Sequence, residues 1–319
     1  MFATLLGGLP RPDPELDRAI ELAVRAQEEA GLEPITDGRL RDPDFDRLAA
    51  ALAESDWAGR AIASVVEAWR AVAASTDRAA KQALPGPYSV GRRPASESTD
   101  RLERTLGVAG SLAATVEALA AAGCPLVEIE ETEAHHIGAD EDERRLFLQA
   151  HQRLVDQVRR NGSEIHLSLS IVGGSAADAG VKTILAAPYS SFAFDLIAGP
   201  DNWNLAVRTP GDRGVIAGVQ AAREVDESKE VMLWAAHYAA STGGRGLDRV
   251  GLGSAGSFAN LTWEAAARKM RLLGATARLA SMAPSEELAR SLDPAAVSSR
   301  RAALGHGAPK PPRRPGTPR

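Results

Sequence analysis

The chain has 319 residues, a formal net charge of -5 and 44% hydrophobic content, values ordinary for a soluble globular protein of one large domain or two small ones. The acidic balance leaves no electrostatic footprint for nucleic acid. No run approaches the roughly 18 uninterrupted apolar residues of a membrane span.

Short apolar runs alternate with longer Ala/Leu/Glu/Arg stretches of helical period. The first run, Phe2–Gly8, lacks a basic region and reads as a strand, not a signal peptide. Asp13–Ala30 carries apolar residues at Leu16, Ile20, Ala23 and Val24, the spacing of one buried helical face. Further strands are predicted at Glu33–Asp37, Gln82–Tyr88, Leu126–Glu130, Glu164–Ser170, Ser191–Asp195, Gly214–Val219 and Arg249–Gly253. Further helices are predicted at Leu112–Ala122, Glu141–Arg160 and Trp263–Leu279. The gaps Arg39–Lys81 and Tyr88–Thr105 are expected to hold extra helix and loop. Repeated βα units imply parallel strands with right-handed crossovers. Eight of them predict an α/β fold, a single (β/α)8 TIM barrel over residues 1–304, with a doubly wound open sheet as the alternative. Residues 305–319 hold five prolines with Lys310, Arg313, Arg314 and Arg319, and read as a disordered Pro/Arg-rich tail. Without those four positive charges the body stands at about -9, which further disfavours a polyanion partner.

In such a barrel the functional residues sit at the C-terminal ends of strands and in the loops after them. That rule places the basic residues Arg11, Arg39, Arg92 and Arg93 at the mouth, either converging on a polyanion or scattered over the surface. It also selects a loop with Glu130, Glu131, Glu133, His135, His136 and Asp140. That loop reads as a metal or acid/base cluster, or as a solvated acidic loop. Neighbouring histidines are expected to point apart, so that one of His135 and His136 at most faces inward. Glu130 is expected to face inward, alternating with Val127 and Ile129. His166 is read as ending its strand, where a carboxylate beside it would form an acid/base pair. Trp203 is placed to stack on a planar ligand or to cap the core. Gly251–Gly256 has the G-x-G-x-x-G pattern and reads as an anion site of glycine N–H groups or as a tight turn. His151 is expected on the surface and His237 on the helix before the last strand, neither with a role. Cys124, the single cysteine, excludes an intramolecular disulfide and fits a reducing cytoplasm. It falls at the opposite end of the barrel as a small hydrophobe.

Several strand ends resemble, in chain order, the catalytic C-terminal barrel of cobalamin-independent methionine synthases. Leu6-Gly-Gly-Leu-Pro-Arg11 resembles that family's opening Gly-Ser-Phe-Pro-Arg. The stretch Gln27–Gly38 resembles its passage into Asp-Gly-Glu, and Leu84-Pro-Gly-Pro87 its Thr-Gly-Pro turn. Val127-Glu-Ile-Glu-Glu131 resembles Gln-Ile-Asp-Glu, Ile165-His-Leu-Ser168 resembles His-x-Cys, and Leu247–Ser254 resembles the last strand. The superfamily also includes uroporphyrinogen decarboxylase. The resemblance implies a barrel and one-carbon or alkyl transfer. It also implies zinc held by a His, two Cys and a Glu, whose matching positions here are His166, Ser168, Ser254 and Asp195. Hydroxyls replace thiolates poorly, so family-type zinc is not expected; any residual metal would rest on His166 and Asp195.

The amino-acid site departs as well. The opening serine is Gly8, the Asp-Gly-Glu glutamate is Arg39 and the Gln-Ile-Asp-Glu aspartate is Glu130. The general-acid histidine aligns poorly, near Ala222 or Arg223. Exchanging Glu for Arg reverses the charge offered to a ligand. The expectation is a divergent barrel enzyme that is not an active methionine synthase and acts on a small anionic molecule. Arg11, Arg39, Gly8, Trp203, Ser168, Ser254 and Gly253 would bind the substrate. His166, Glu130 and Asp195 would transfer protons. A metal-free lyase or decarboxylase and a non-catalytic ligand-binding pseudoenzyme are the alternatives. Folate and a homodimer stay open; no nucleic-acid or membrane partner is expected, and the cytoplasm is the expected location.

Overall fold

Seven parallel strands build the centre of the molecule, for which the computed structural model describes residues 1–53, 60–94 and 100–282. They are β1 (Phe2–Thr4), β2 (Lys81–Pro85), β3 (Leu126–Glu131), β4 (His166–Ile171), β5 (Ser191–Asp195), β6 (Gly214–Gln220) and β7 (Val250–Ser254). Their order in the sheet is β1-β7-β6-β5-β4-β3-β2. A doubly wound sheet reverses its order at a switch point; this one runs round in chain order and curls on itself.

The edges β1 and β2 are linked through the segment 33–36. The Glu33 N–H donates to the Ala3 carbonyl at 2.8 Å, the Ile35 N–H to Ala79 at 2.8 Å, and the Lys81 N–H to Ile35 at 2.9 Å. The expected strand Glu33–Asp37 is therefore reduced to a single bridge, Ile35 to Ala80. Pro34 has no N–H to give a ladder. The backbone of Thr36 is taken by the Gln27 side chain, whose Oε1 accepts at 3.0 Å and whose Nε2 donates at 2.8 Å.

The helices are α1 (Leu16–Ala30), α2 (Asp46–Ala53), α3 (Arg60–Ala73), α4 (Pro87–Arg92), α5 (Arg101–Ala121), α6 (Glu141–Arg160), α7 (Val181–Ile184), α8 (Trp203–Ala206), α9 (Lys229–Ser241) and α10 (Trp263–Ser281). Asp140 caps α6, its Oδ1 accepting from the N–H groups of Asp142 and Glu143 at 2.9 and 3.1 Å. The same helix buries Leu146, Phe147, Ala150, His151, Leu154, Val155 and Val158; each large apolar side chain so buried contributes roughly 1.5–3 kcal/mol. His151, expected on the surface, is thus in the core, because it shares the buried stripe of α6. The expected helix Leu112–Ala122 is the second half of α5, which the glycines at 107 and 110 interrupt in pattern but not in structure. Helices α1 and α10 close the ring around β1, and a Cβ on Gly274 would stand 1.8 Å from the Ala30 carbonyl oxygen, so only glycine permits that approach.

Alternation along each strand sends one set of side chains to the helices and the other inside the barrel. Val127, Ile129 and Glu131 face the helix layer, while Glu128 and Glu130 face inward. The interior apolar cluster is small, Leu6, Val172, Ala193 and Ile216 with Phe2 against it. Barrel interiors are usually layers of bulky branched side chains; this one is largely polar or small. Among the described residues no helix is long and apolar enough to cross a membrane. The expected tail, 305–319, lies outside the described residues.

Candidate functional site at the C-terminal mouth of the barrel

The turn after the segment 33–36 carries two consecutive left-handed residues, Gly38 (φ 69°) and Arg39 (φ 53°). A non-glycine residue there is strained by roughly 1–3 kcal/mol, a cost that clusters at functional sites. The turn is held by the Arg39 N–H on Asp37 Oδ1 at 2.8 Å and by the Leu9 N–H on the Gly38 carbonyl at 2.8 Å. It aims the Arg39 guanidinium under the mouth, 4.4 Å over the Phe45 ring. There Nη1 donates to Glu130 Oε2 at 2.6 Å. Arg39 is 8% exposed and Glu130 1%. Breaking such a buried pair by removing one partner costs roughly 3–5 kcal/mol.

The pair is only half used. Arg39 Nε and Glu130 Oε1 have no hydrogen-bond partner among the described residues. Ser170, beside Glu130 in register, has an unpartnered hydroxyl there too. At the end of β6, Gln220 accepts the Glu227 N–H at 3.1 Å and leaves its Nε2 unpartnered among the same residues. A Cβ on Gly8 would stand 3.5 Å from Arg39 Nε, so this glycine leaves space at that nitrogen. Buried polar groups almost always have a partner. This set offers donors, an acceptor and a hydroxyl with none.

The other expected site residues do not join it. His166 begins β4 rather than ending it, and its Nε2 meets Ser191 Oγ at 2.8 Å. Glu130 pairs in register with Ser170, four residues further up β4, roughly 13 Å along a strand, so the acid/base pair with His166 is not formed. Burial, with a contribution from Arg159, lowers the pKa of His166. Ser254 Oγ accepts the Leu6 N–H and donates to the Leu6 carbonyl, both at 2.8 Å, extending the β1–β7 pairing. Asp195 Oδ1 accepts the N–H groups of Ile197 and Ala198 at 2.9 and 2.8 Å; burial raises its carboxyl pKa. His166, Ser168, Asp195 and Ser254 therefore do not form a ligand set, and the residues present do not fit the family's zinc.

Arg11 serves its own loop, donating to the Asp13 carbonyl at 2.9 Å and to that of Pro14. Arg92 faces Glu133 and Glu143, and Arg93 faces Asp46, so the basic residues do not converge on a polyanion. Trp203 is 2% exposed and packs edge-on against Trp234 at 5.5 Å, a core cap rather than a ligand wall. Gly251 and Gly253 lie within β7, and α10 begins only at Trp263, so the expected glycine anion site is absent among the described residues. Gly253 instead lies under Leu6 and Ile216. Cys124 is buried, and burial pushes its thiol up to about 11.

In the loop after β3, a 3-10 turn at residues 134–136 brings the His135 and His136 rings to 4.0 Å; neither is buried, in keeping with the expectation that at most one faces inward. With Glu133 they place three ligand atoms within 4.8 Å of one another, so these are residues that could hold a divalent ion. Sequence reasoning missed two groups. One is the pair Lys81 and Glu128 inside the barrel, signalled by the Glu128-x-Glu130 alternation. The other is a network in the helix layer. There Glu131 accepts the N–H groups of Tyr88 and Ser89 at 2.9 and 2.8 Å. It also meets His151 Nε2 at 2.9 Å, and His151 Nδ1 meets Tyr189 OH at 2.7 Å. That network ties β3 to α4, α6 and the start of β5.

No protein-family model matches the sequence, and no curated protein matches it. Solved structures match it in fold. A Listeria monocytogenes protein, provisionally described as a vitamin-B12-independent methionine synthase, superposes with a TM-score of 0.68 at 17% identity, covering 89% of this chain and 98% of its own. A B12-independent methionine synthase from Shewanella sp. W3-18-1, in complex with selenomethionine, gives 0.73 at 14%, covering 87% and 96%. A methyltransferase from Methanosarcina mazei gives 0.61 at 12%, covering 87% and 93%. At these identities the likeness is one of fold, and the chain has the barrel fold seen in B12-independent methionine-synthase-like proteins.

Proposed function

We propose that the chain is a methyl- or alkyl-transfer barrel whose mouth binds a small amino acid between Arg39 and Glu130. The observation that carries this reading is the half-used buried pair, with Arg39 Nε, Glu130 Oε1 and the hydroxyl of Glu130's register neighbour Ser170 lacking partners among the described residues. An anion alone would meet the Glu130 carboxylate 2.6 Å from its own partner. A zwitterion brings one charge for each member of the pair, a carboxylate for Arg39 and an ammonium for Glu130, and buries no net charge. The bidentate geometry of guanidinium with carboxylate favours Arg over Lys for the first contact. Gly8 leaves room beside Arg39 Nε. The fold likeness to methyltransferase barrels, one of them holding an amino acid, supports the reaction class.

The experiment is a calorimetric titration with L-methionine, 4-(methylthio)butanoate and 3-(methylthio)propylamine, which carry both charged groups, the carboxylate only and the ammonium only. L-methionine is expected to bind at least about tenfold more tightly than either half-ligand, a difference of about 1.4 kcal/mol. Glu130→Gln, which keeps an acceptor for Arg39, should remove the advantage over the carboxylate analogue. Equal affinity for the carboxylate analogue in the unaltered protein would overturn the amino-acid reading in favour of a simple anion.

A further inference from the structure

A cavity of about 830 Å³ opens at the other, N-terminal end of the barrel, between the starts of the strands. That end is normally packed and serves stability. Here its inward positions are small: Ser168, Ser191 and Gly214 line the void, and a Cβ on Gly251 would stand 2.5 Å from the Phe2 ring. At its inner end Lys81 Nζ meets Glu128 Oε2 at 2.9 Å and donates to the Leu5 carbonyl at 2.6 Å. Lys81 is 3% exposed and Glu128 2%. A buried ion pair is costly to desolvate, and replacing one with apolar residues is often neutral or stabilising, so stability does not account for it. Glu128 Oε1 and the hydroxyl of its register neighbour Ser168 have no hydrogen-bond partner among the described residues. Both residues are at least nine-tenths buried and both line the cavity. Burial raises the Glu128 carboxyl pKa despite the nearby Lys81.

We propose that this cavity is a second ligand site, for an uncharged small molecule with an apolar body and a primary amide or hydroxyl head. The head donates to Glu128 Oε1 and exchanges a hydrogen bond with Ser168 Oγ. The ligand is uncharged because Lys81 already balances Glu128 at the inner end, while the rim carries Arg213 and Arg249 beside Glu33, Asp212 and Asp248 and so offers no excess of positive charge to an anion. An ion at the inner end would be buried without a counter-charge. Phe2, Leu126, Pro188 and Ile216 supply the apolar wall, and the volume falls within the usual range of small-molecule pockets, roughly 300–1,000 Å³.

Benzamide, benzoate, benzylammonium and toluene separate the possibilities when titrated into the full chain by calorimetry and ligand-observed NMR. Benzamide is expected to saturate one site, with the two ions and toluene at least about tenfold weaker. Ser168→Ala removes a hydroxyl that makes no internal hydrogen bond among the described residues, so the melting temperature should hold while benzamide binding weakens about tenfold, the value of one hydrogen bond. Saturating L-methionine should leave benzamide binding unchanged, which separates this site from the mouth. The proposal is overturned if benzamide fails to saturate, if benzoate binds as well, or if Ser168→Ala binds benzamide as tightly as the unaltered protein; the cavity is then a water-filled void.

Discussion

Gly8 and Ser254 mark two places where a single side chain decides what the mouth does. Gly8 faces Arg39 Nε across the space a Cβ would fill, with the Gly38 carbonyl oxygen at 3.3 Å and Ser257 Oγ at 3.4 Å from that position. Gly8→Ser should therefore fold normally, shift the melting temperature by no more than a few degrees, and weaken L-methionine binding about tenfold or more by occupying that space. Unchanged affinity would remove Gly8 from the site. Ser254 has both hydrogen-bonding capacities committed to Leu6. Ser254→Ala should lower stability by about 1–3 kcal/mol, read as a fall in the urea midpoint, with ligand affinity nearly unchanged. The opposite pattern, intact stability and lost binding, would make Ser254 a ligand contact. The type and inward direction of Glu130 were legible in the sequence, since Val127-Glu-Ile-Glu alternates. Its partner was not, because Arg39 reaches it from 91 residues away through a left-handed turn that no local pattern announces.

Elements proved more legible than their registers. The helix Glu141–Arg160 was readable residue for residue from its apolar spacing, and Asp140, read as part of the acidic loop cluster, proves to be its N-cap. The placement of His166 at the end of its strand failed for a physical reason. The expected strand, Glu164–Ser170, already has His166 near its N-terminal start, and in parallel strands the chain direction puts that end away from the mouth. His151 was missed because its polarity was weighed above its spacing, which puts it in one stripe with Phe147, Leu154, Val155 and Val158. Glu143 shows how α4, α5 and α6 are clamped. Its carboxylate takes hydrogen bonds from Arg101 at 2.5 and 2.8 Å and from the Tyr88 hydroxyl. Those Arg101 contacts, with Tyr88 and Arg92 adding, hold its pKa at about 2 against an ordinary 4.5. A depressed carboxylate pKa stabilises the fold above the unfolded value and loses that contribution as the pH falls through the folded one. Wild type should thus melt above Glu143→Gln at about pH 6, and the gap should narrow between about pH 4.5 and 2. A gap independent of pH would show that the clamp works by shape rather than charge.

At the scale of the molecule, the barrel itself was legible because eight apolar runs and intervening helical periods recur in order along the chain. Its closure differs from the expectation only at the segment 33–36, where Pro34 and the Gln27 clamp on Thr36 reduce a strand to one bridge. Composition could not reveal that the interior is polar along its length, with Lys81 and Glu128 low in the barrel and Arg39 and Glu130 at the mouth. Two buried ion pairs stacked inside one barrel are an expensive arrangement for stability alone. Their unpartnered atoms suit ligands at both ends, and the mouth is the end where barrel chemistry is built. The most direct test of that assignment is a crystal structure of the protein grown with L-methionine. The account predicts the ligand carboxylate within about 3.2 Å of the Arg39 guanidinium and its ammonium within the same reach of Glu130, with the 2.6 Å contact between the two side chains opened. A ligand bound elsewhere, with Arg39 and Glu130 still joined, would contradict it.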